Sequence, residues 1–249
     1  MQPKEQLKNW ILEGKTVFFG GAGVSTESGI PDFRSEKGIY RTRTKYGVSP
    51  EEILSHTYFK YWPETFYEYY RENLIYPDAR PNNAHLALAA WEKEGLVDAV
   101  VTQNIDGLHQ MAGSKKVYEL HGSVLRNYCM RCRKKFDEHI ITDTIGIPKC
   151  PLCGGVVRPD VVLYEEGLDE KVMSGAIRAI AKAKTLIVGG TSLNVYPAAG
   201  LLNYFEGSHL VLVNRDETPW DSRAELVFHE NIGEVFGEVA AMIEAVQKQ

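Results

Sequence analysis

Cys129-Met-Arg-Cys132 and Cys150-Pro-Leu-Cys153 form two C-x2-C pairs separated by 17 residues, and they hold all four cysteines of the 249-residue chain. Two thiolate hairpins at that separation can wrap one tetrahedral Zn2+ with four sulfurs. No position is then left for water, so the ion would be structural. Disulfides or a redox C-x-x-C fit less well, because both pairs match and the chain is long enough to fold on its own core. A second group, Gly20-Gly-Ala-Gly-Val-Ser-Thr, directly follows Thr16-Val-Phe-Phe. Glycines at a strand end let backbone approach a pyrophosphate, yet Thr26 stands where a dehydrogenase turn has its third Gly. On these residues alone a nucleotide turn and an ordinary glycine turn both stay open. A third group, Thr102-Gln-Asn-Ile-Asp-Gly-Leu-His, follows Ala99-Val-Val. The amides of Gln103 and Asn104 and the carboxylate of Asp106 suit a bound carboxamide and ribose, although each could also cap a helix or close a turn. His121, before Gly122, is either a structural strand-end histidine or a base, since an unperturbed imidazole titrates at about 6.5.

These groups need a scaffold that brings strand ends together. Thr16-Val-Phe-Phe, Ala99-Val-Val-Thr, Thr185-Leu-Ile-Val and Leu210-Val-Leu-Val are short runs bounded by Gly, Asn or Asp. Such runs read as strands buried on both faces, as in a parallel sheet covered by helices. Segments 83–94 and 168–182 space their apolar residues by three and four, as covering helices do. The fold class predicted is therefore α/β, with a doubly wound, Rossmann-like parallel sheet. Two stretches interrupt the alternation. Residues 36–80, rich in Tyr, Phe and Trp, read as a helical insert, and residues 125–158 carry the cysteines with too few large apolar side chains to fold without a metal. The expected division is 1–35, 81–124 and 159–249 for the large domain, with 36–80 and 125–158 forming the small one.

Composition is that of an ordinary globular protein, with 44% hydrophobic and 24% charged residues and a net charge of −5. The acidic balance argues against binding nucleic acid by phosphate neutralisation, as a zinc-ribbon DNA binder would. No run approaches a membrane span, and the polar start Met1-Gln-Pro-Lys-Glu lacks a secretory pattern, so the expected location is the cytoplasm.

The segment Gly20-Gly-Ala-Gly-Val-Ser-Thr-Glu-Ser-Gly-Ile-Pro-Asp-Phe-Arg resembles the signature loop of the sirtuin family, and Thr102-Gln-Asn-Ile-Asp-Gly-Leu-His, His121-Gly122 and the paired cysteines follow in family order. The resemblance runs from about residue 15 to residue 239. It implies an NAD-dependent protein lysine deacetylase that consumes NAD and yields nicotinamide and O-acetyl-ADP-ribose, with acetylated proteins or peptides as partners. Carried over, Gly21, Ala22, Gly23, Thr26, Phe33 and Arg34 face the cofactor. Gln103 meets the ribose, Ile105 shares that loop, and Asp106 holds the nicotinamide amide. Asn104 serves the ribose or a water, and His121 is the general base. Gly190, Thr191 and Ser192, with Asn214 and Ile232, serve the adenosine half. Arg158-Pro-Asp-Val-Val-Leu-Tyr-Glu-Glu resembles the segment that pairs with substrate backbone, so Val161, Val162, Tyr164 and Val195 would line the acyl-lysine groove. Here Tyr164 replaces the usual Phe and Glu165 the usual Gly, which matters if that turn needs positive φ.

Relatives that prefer succinyl or malonyl lysine carry Tyr-x-x-Arg in the helical insert. This chain has Tyr67 followed by Tyr70, with Arg71 one residue late, a rotation of about 100° on a helix. A preference for neutral acyl groups is therefore expected. The competing readings are a protein mono-ADP-ribosyltransferase or a longer-chain lysine deacylase on the same pocket. A dehydrogenase is disfavoured by Thr26 and by the want of an acid about twenty residues past the glycines. His109 lies inside the polar motif and reads as packing or hydrogen-bonded structure, whereas His56, His85, His139, His209 and His229 show no ligand-like pairing in sequence.

Overall fold

A computed structural model describes residues 2–31 and 43–248. Nine strands form two sheets among these residues: β1 (Thr16–Gly20), β2 (Val97–Thr102), β3 (Val117–Glu119), β4 (Gly122–Cys129), β5 (Lys135–Phe136), β6 (Val157–Val161), β7 (Thr185–Gly189), β8 (His209–Val213) and β9 (Leu226–Phe228). The large sheet is parallel with order β3-β2-β1-β7-β8-β9. All four apolar runs read from the sequence lie in its central strands.

Strand alternation sends side chains to both faces, and both are covered. Phe18, Val100, Ile187 and Val211 pack beneath helices Pro3–Leu12, Asn83–Lys93 and Ile232–Gln247, with Leu88, Trp91 and Phe236 in the same cluster. Val17, Phe19, Val101, Leu186, Val188 and Leu212 face the other way, against helix Glu170–Lys182 and the 3-10 segment Ala198–Tyr204. Burial on two faces is why these runs read as continuous rather than alternating. From β1 the chain builds outward through β2 to β3 on one side, then returns to β7 on the other side of β1 and builds outward to β9. The crevice beyond the carboxyl ends of β1 and β7 is thus the switch point where such sheets take ligands.

The small sheet is antiparallel, with order β5-β4-β6. Residues 36–80 supply helices Pro50–Ile53, His56–Tyr61 and Pro63–Asn73 within the described part, interrupted at Pro63. Phe59, Phe66, Tyr67, Tyr69 and Tyr70 are buried together with Val124, Val161 and Leu163. The insert therefore packs on β4 and on the segment after β6. Both β4 and β6 run across the boundaries expected at 124/125 and 158/159, because antiparallel pairing continues from the cysteine end toward His121. No helix is long and apolar enough to cross a membrane among the described residues.

Candidate active site

The loops after β1 and β7 touch backbone to backbone. Gly23 N–H donates to the Gly190 carbonyl at 2.8 Å, and Gly21 N–H to Gly189 at 3.3 Å. A Cβ on Gly23 would lie 2.7 Å from Gly190 Cα, and one on Gly190, whose φ is 59°, would lie 2.3 Å from Val24 N. These two glycines are needed first for loop-on-loop packing at the switch point. The turn runs into a 3-10 segment, Ala22–Ser28, and Thr26 Oγ1 donates back to the Gly23 carbonyl at 2.9 Å.

Ser25 is fully buried and joins the first loop to the second. Its hydroxyl donates to Asp106 Oδ2 at 2.7 Å and accepts from Asn104 Nδ2 at 3.0 Å. Asp106 Oδ1 takes the Leu108 N–H at 2.9 Å, so the carboxylate also begins helix Leu108–Ala112. Gln103 Nε2 donates to Thr191 Oγ1 at 3.1 Å, tying the second loop to the loop after β7. Sequence reading did not single out Ser25, although it lies inside the glycine-rich motif. Ser25→Ala would leave Asp106 and Asn104 short of a buried partner. Its kcat/KM is expected to fall about ten- to a hundredfold, the range for losing a hydrogen bond to a charged group, with the melting temperature measured alongside to separate unfolding from misalignment.

His121 follows β3 and precedes β4. Its Nδ1 lies 2.9 Å from the Gln103 carbonyl, which can only accept. That bond sets the Nδ1–H tautomer and puts the imidazole lone pair on Nε2. Val162 N–H donates to the His121 carbonyl at 3.0 Å, placing the segment after β6 alongside. Val161 is buried in the aromatic cluster and Val162 is half-buried, as alternation along an extended segment requires. Tyr164 bridges Ser55, and Val195 sits half-buried in the loop after β7, its carbonyl accepting from Ala199 N–H at 2.9 Å.

Beyond β7 and β8 lies an open groove lined by Gly23, Thr26, Gly190, Thr191, Ser192, Asn214 and Ile232. Asn214 Oδ1 accepts the Thr191 N–H at 2.8 Å, while its buried Nδ2 has no partner among the described residues. An orphaned amide at a groove wall fits a polar ligand such as a ribose. Ile232 packs tightly on Gly189 as well as lining the groove. Glu27, Asp216, Glu217 and Glu230 also line it, and none was anticipated from sequence. Glu27 is spent on the Gly233 N–H at 2.7 Å, and Glu230 on Lys4 at 2.7 Å. The groove lining includes neither Asn104, Asp106 nor His121, which gather on the β1–β2 side. Phe33 and Arg34 lie outside the described residues.

His85 and His109, isolated in sequence, meet in the fold with ring centroids 4.7 Å apart. Both are buried, and neither His109 nitrogen has a partner among the described residues. Burial pushes His85 down to about 4, against the pull of Asp106, and burial with the neighbouring His85 takes His109 to about 3. Both are neutral in the fold, whereas the unfolded chain binds their protons near 6.5. Stability is therefore complete above pH 6.5 and lost as pH falls toward 4, by up to about 1.4 kcal/mol per pH unit for each histidine. Urea midpoints followed from pH 7 to pH 4 should fall less steeply in His109→Gln than in the unmodified chain.

The four cysteine sulfurs lie within 4.8 Å of one another. Cys129 and Cys153 are 3.4 Å apart and Cys132 and Cys150 3.7 Å, close to the roughly 3.8 Å edge of a tetrahedron with Zn–S bonds of about 2.3 Å. Arg131 and Cys132 N–H groups both point at Cys129 Sγ at 3.4 Å, and backbone donation from Cys132 first holds this thiol well below its usual range. Each C-x2-C turn ends on a left-handed residue, Arg133 at φ 62° and Gly154 at φ 70°. The donor set and spacing fit zinc.

A doubly wound parallel sheet with its polar cluster at the switch point, joined to a four-cysteine ribbon, defines the class of this molecule. The Sir2 family model matches residues 21–197, and the chain belongs to the Sir2 family, the sirtuins. Among its relatives, the NAD-dependent protein deacetylase of Clostridium perfringens (strain 13 / Type A) is 58% identical over 237 residues, covering 95% of this chain and 96% of that protein. The Staphylococcus aureus (strain N315) protein of the same name is 44% identical over 229 residues, covering 92% of this chain and 94% of that one. The solved structure described as Sir2-p53 peptide-NAD+ matches with a TM-score of 0.84 at 39% identity, covering all of both chains. A Sir2 homolog–NAD complex matches with a TM-score of 0.86 at 36% identity, over 97% of this chain and 94% of that one.

Proposed function

We infer that this chain is an NAD-dependent protein lysine deacetylase, releasing nicotinamide and transferring the acetyl group to ADP-ribose. The observation that carries the reading is the tautomer-fixed His121 on the same strand-end loops as the buried Ser25–Asp106–Asn104 network. The names and ligands of the relatives support it. NAD, when bound, supplies an electrophilic ribose carbon with nicotinamide as leaving group. His121 takes a ribose hydroxyl proton at Nε2. Asp106 holds the nicotinamide amide, Asn104 and Gln103 hold ribose or an ordered water, and Ser25 keeps Asp106 and Asn104 in register. Gly21, Ala22, Gly23, Thr26, Phe33, Arg34 and Ile105 border the cofactor, and Gly190, Thr191, Ser192, Asn214 and Ile232 take its adenosine half. Val161, Val162, Tyr164 and Val195 line the acyl-lysine groove.

Cys129, Cys132, Cys150 and Cys153 hold one structural zinc, which stabilises the ribbon and takes no part in the chemistry. The small domain takes residues 36–80 and 125–158, with β4 and β6 running across its boundaries with the large domain. Partners are acetylated proteins or peptides rather than nucleic acid, in a reducing cytoplasm that keeps thiolates available to zinc. Arg71 donates through Nε to the Ile141 carbonyl at 2.8 Å and also bonds the Gly146 carbonyl, while Tyr70 is fully buried. Arg71 is thereby committed to bracing the ribbon-side loop, which favours neutral over acidic acyl groups.

The test is incubation of purified protein with an acetyl-lysine peptide, with and without NAD, following peptide mass and nicotinamide release. Loss of the acetyl group only with NAD, matched by nicotinamide, is the expected outcome. Covalent ADP-ribosyl label on protein without deacetylation would replace the reading with ribosyl transfer.

A further inference from the structure

Glu165 ends the segment that follows β6, with φ of 73°, a left-handed value rarely taken by residues with a side chain. Its carboxylate folds across to helix His56–Tyr61, where Oε2 accepts from Thr57 N at 2.9 Å and from Thr57 Oγ1 at 2.7 Å. These bonds offset the backbone strain and hold the carboxylate in one orientation. The other oxygen, Oε1, has no hydrogen-bond partner among the described residues. Glu165 is exposed, and its own N–H and C=O enter none of the described backbone hydrogen bonds. Its neighbours are committed: Tyr164 N–H donates to Leu54 O, and His56 N–H to Tyr164 O, each at 3.0 Å. Among the described residues the backbone is therefore unpaired at Glu165.

The charges around it are already paired. Glu166 takes both terminal nitrogens of Arg158, at 2.8 and 2.9 Å, and the His56 Nδ1 at 2.9 Å. Lys60, on the helix that anchors Glu165, lies with Nζ 5.2 Å from the Tyr61 ring centre instead. Glu165 enters no described ion pair; the cationic group acting on it is His56, whose Nδ1 is already bonded to Glu166, so the Glu165 carboxylate keeps an unbonded oxygen beside that unpaired backbone edge.

On the deacetylase reading above, we propose that Glu165 is a specificity-determining residue that favours acyl-lysine peptides carrying Lys or Arg within two residues of the modified lysine. An extended peptide added at this edge brings successive side chains past the carboxylate, and a cationic one gains a charge-assisted hydrogen bond from Oε1. The gain is that of an exposed pair, screened by salt.

The experiment measures kcat/KM for acetyl-lysine peptides with Lys, Gln or Glu at each of the four positions from two before to two after the acetyl-lysine. At one position or more, Lys should exceed Glu by about three- to fivefold at low salt, mainly through KM. The ratio should fall below about twofold at high salt and in Glu165→Gln, which keeps the side-chain shape and can still accept from Thr57. Glu165→Gly, which suits the left-handed turn, should flatten it likewise, so one poorly folding variant does not decide the result. A ratio near one in the unmodified chain, or one unchanged in both variants, overturns the proposal. Absence of NAD-dependent deacetylation of every peptide by the unmodified chain overturns the underlying reading and the proposal with it.

Discussion

His121→Ala is expected to lose deacetylation by about 10²- to 10⁴-fold, the range for removing a positioned general base, while NAD affinity changes little. The separation follows from what the side chain and its backbone each do. The imidazole donates from Nδ1 to the Gln103 carbonyl and keeps its lone pair on Nε2. The backbone pairing of His121 with Val162 survives truncation, and the groove beyond β7 and β8 is not lined by His121. His121→Asn sharpens the test, because its amide can still donate a hydrogen bond but cannot act as a base. Equal losses in the Ala and Asn variants, with NAD binding retained by calorimetry, mark proton transfer. Deacetylation by His121→Ala within tenfold of the unmodified chain would remove His121 from the role.

Stripping the metal with a chelator under reducing conditions should unfold the ribbon and abolish activity, with recovery on adding zinc. The reason is the size of the core there. Its buried residues are Cys129, Cys150 and Val157, with Phe136, Ile140 and Cys153 partly buried around them, so two of the three buried members are themselves ligands. Metal binding of about 10–16 kcal/mol, the range for zinc-finger peptides, would then supply most of the local folding free energy. β4 carries Cys129 at one end and Gly122, next to His121, at the other, while β6 leads to Val162. Loss of the ribbon thus reaches the loop that carries His121 through two strands. Cys132→Ser is the discriminating variant, because Cys132 is exposed and an exposed side chain without a special role seldom shifts stability by more than about 0.5 kcal/mol. A large fall in melting temperature and in bound zinc is expected. Full activity in metal-free, reduced protein would reject a structural zinc.

Motifs with local geometry were readable from the chain. The two C-x2-C turns carry their own spacing, and the four apolar runs became the central strands because burial on both faces leaves a continuous hydrophobic signal. Strand-end placement of Gly21, Gln103 and Asn214 followed from where those runs stop. The bridge made by Ser25 was hidden, because a serine in a glycine-rich loop carries no sign of a partner 81 residues away. Nor could the meeting of His85 with His109 be read, since it depends on how helices Asn83–Lys93 and Leu108–Ala112 pack.

The cysteine site shows the same division. Its composition and spacing were set by the sequence, because each hairpin is closed by residues within four positions of one another. That the two hairpins bring their sulfurs within 4.8 Å was decided by the antiparallel pairing of β4 with β6. At Glu165 the tertiary structure decided more than the sequence did. Sequence showed only that Glu165 stands where the family usually has glycine, whereas the fold places Thr57 against its carboxylate and leaves the second oxygen unpaired. Short-range chemistry is written in residue type and spacing. Which distant groups meet, and which charge is left over, depends on packing that no local pattern encodes.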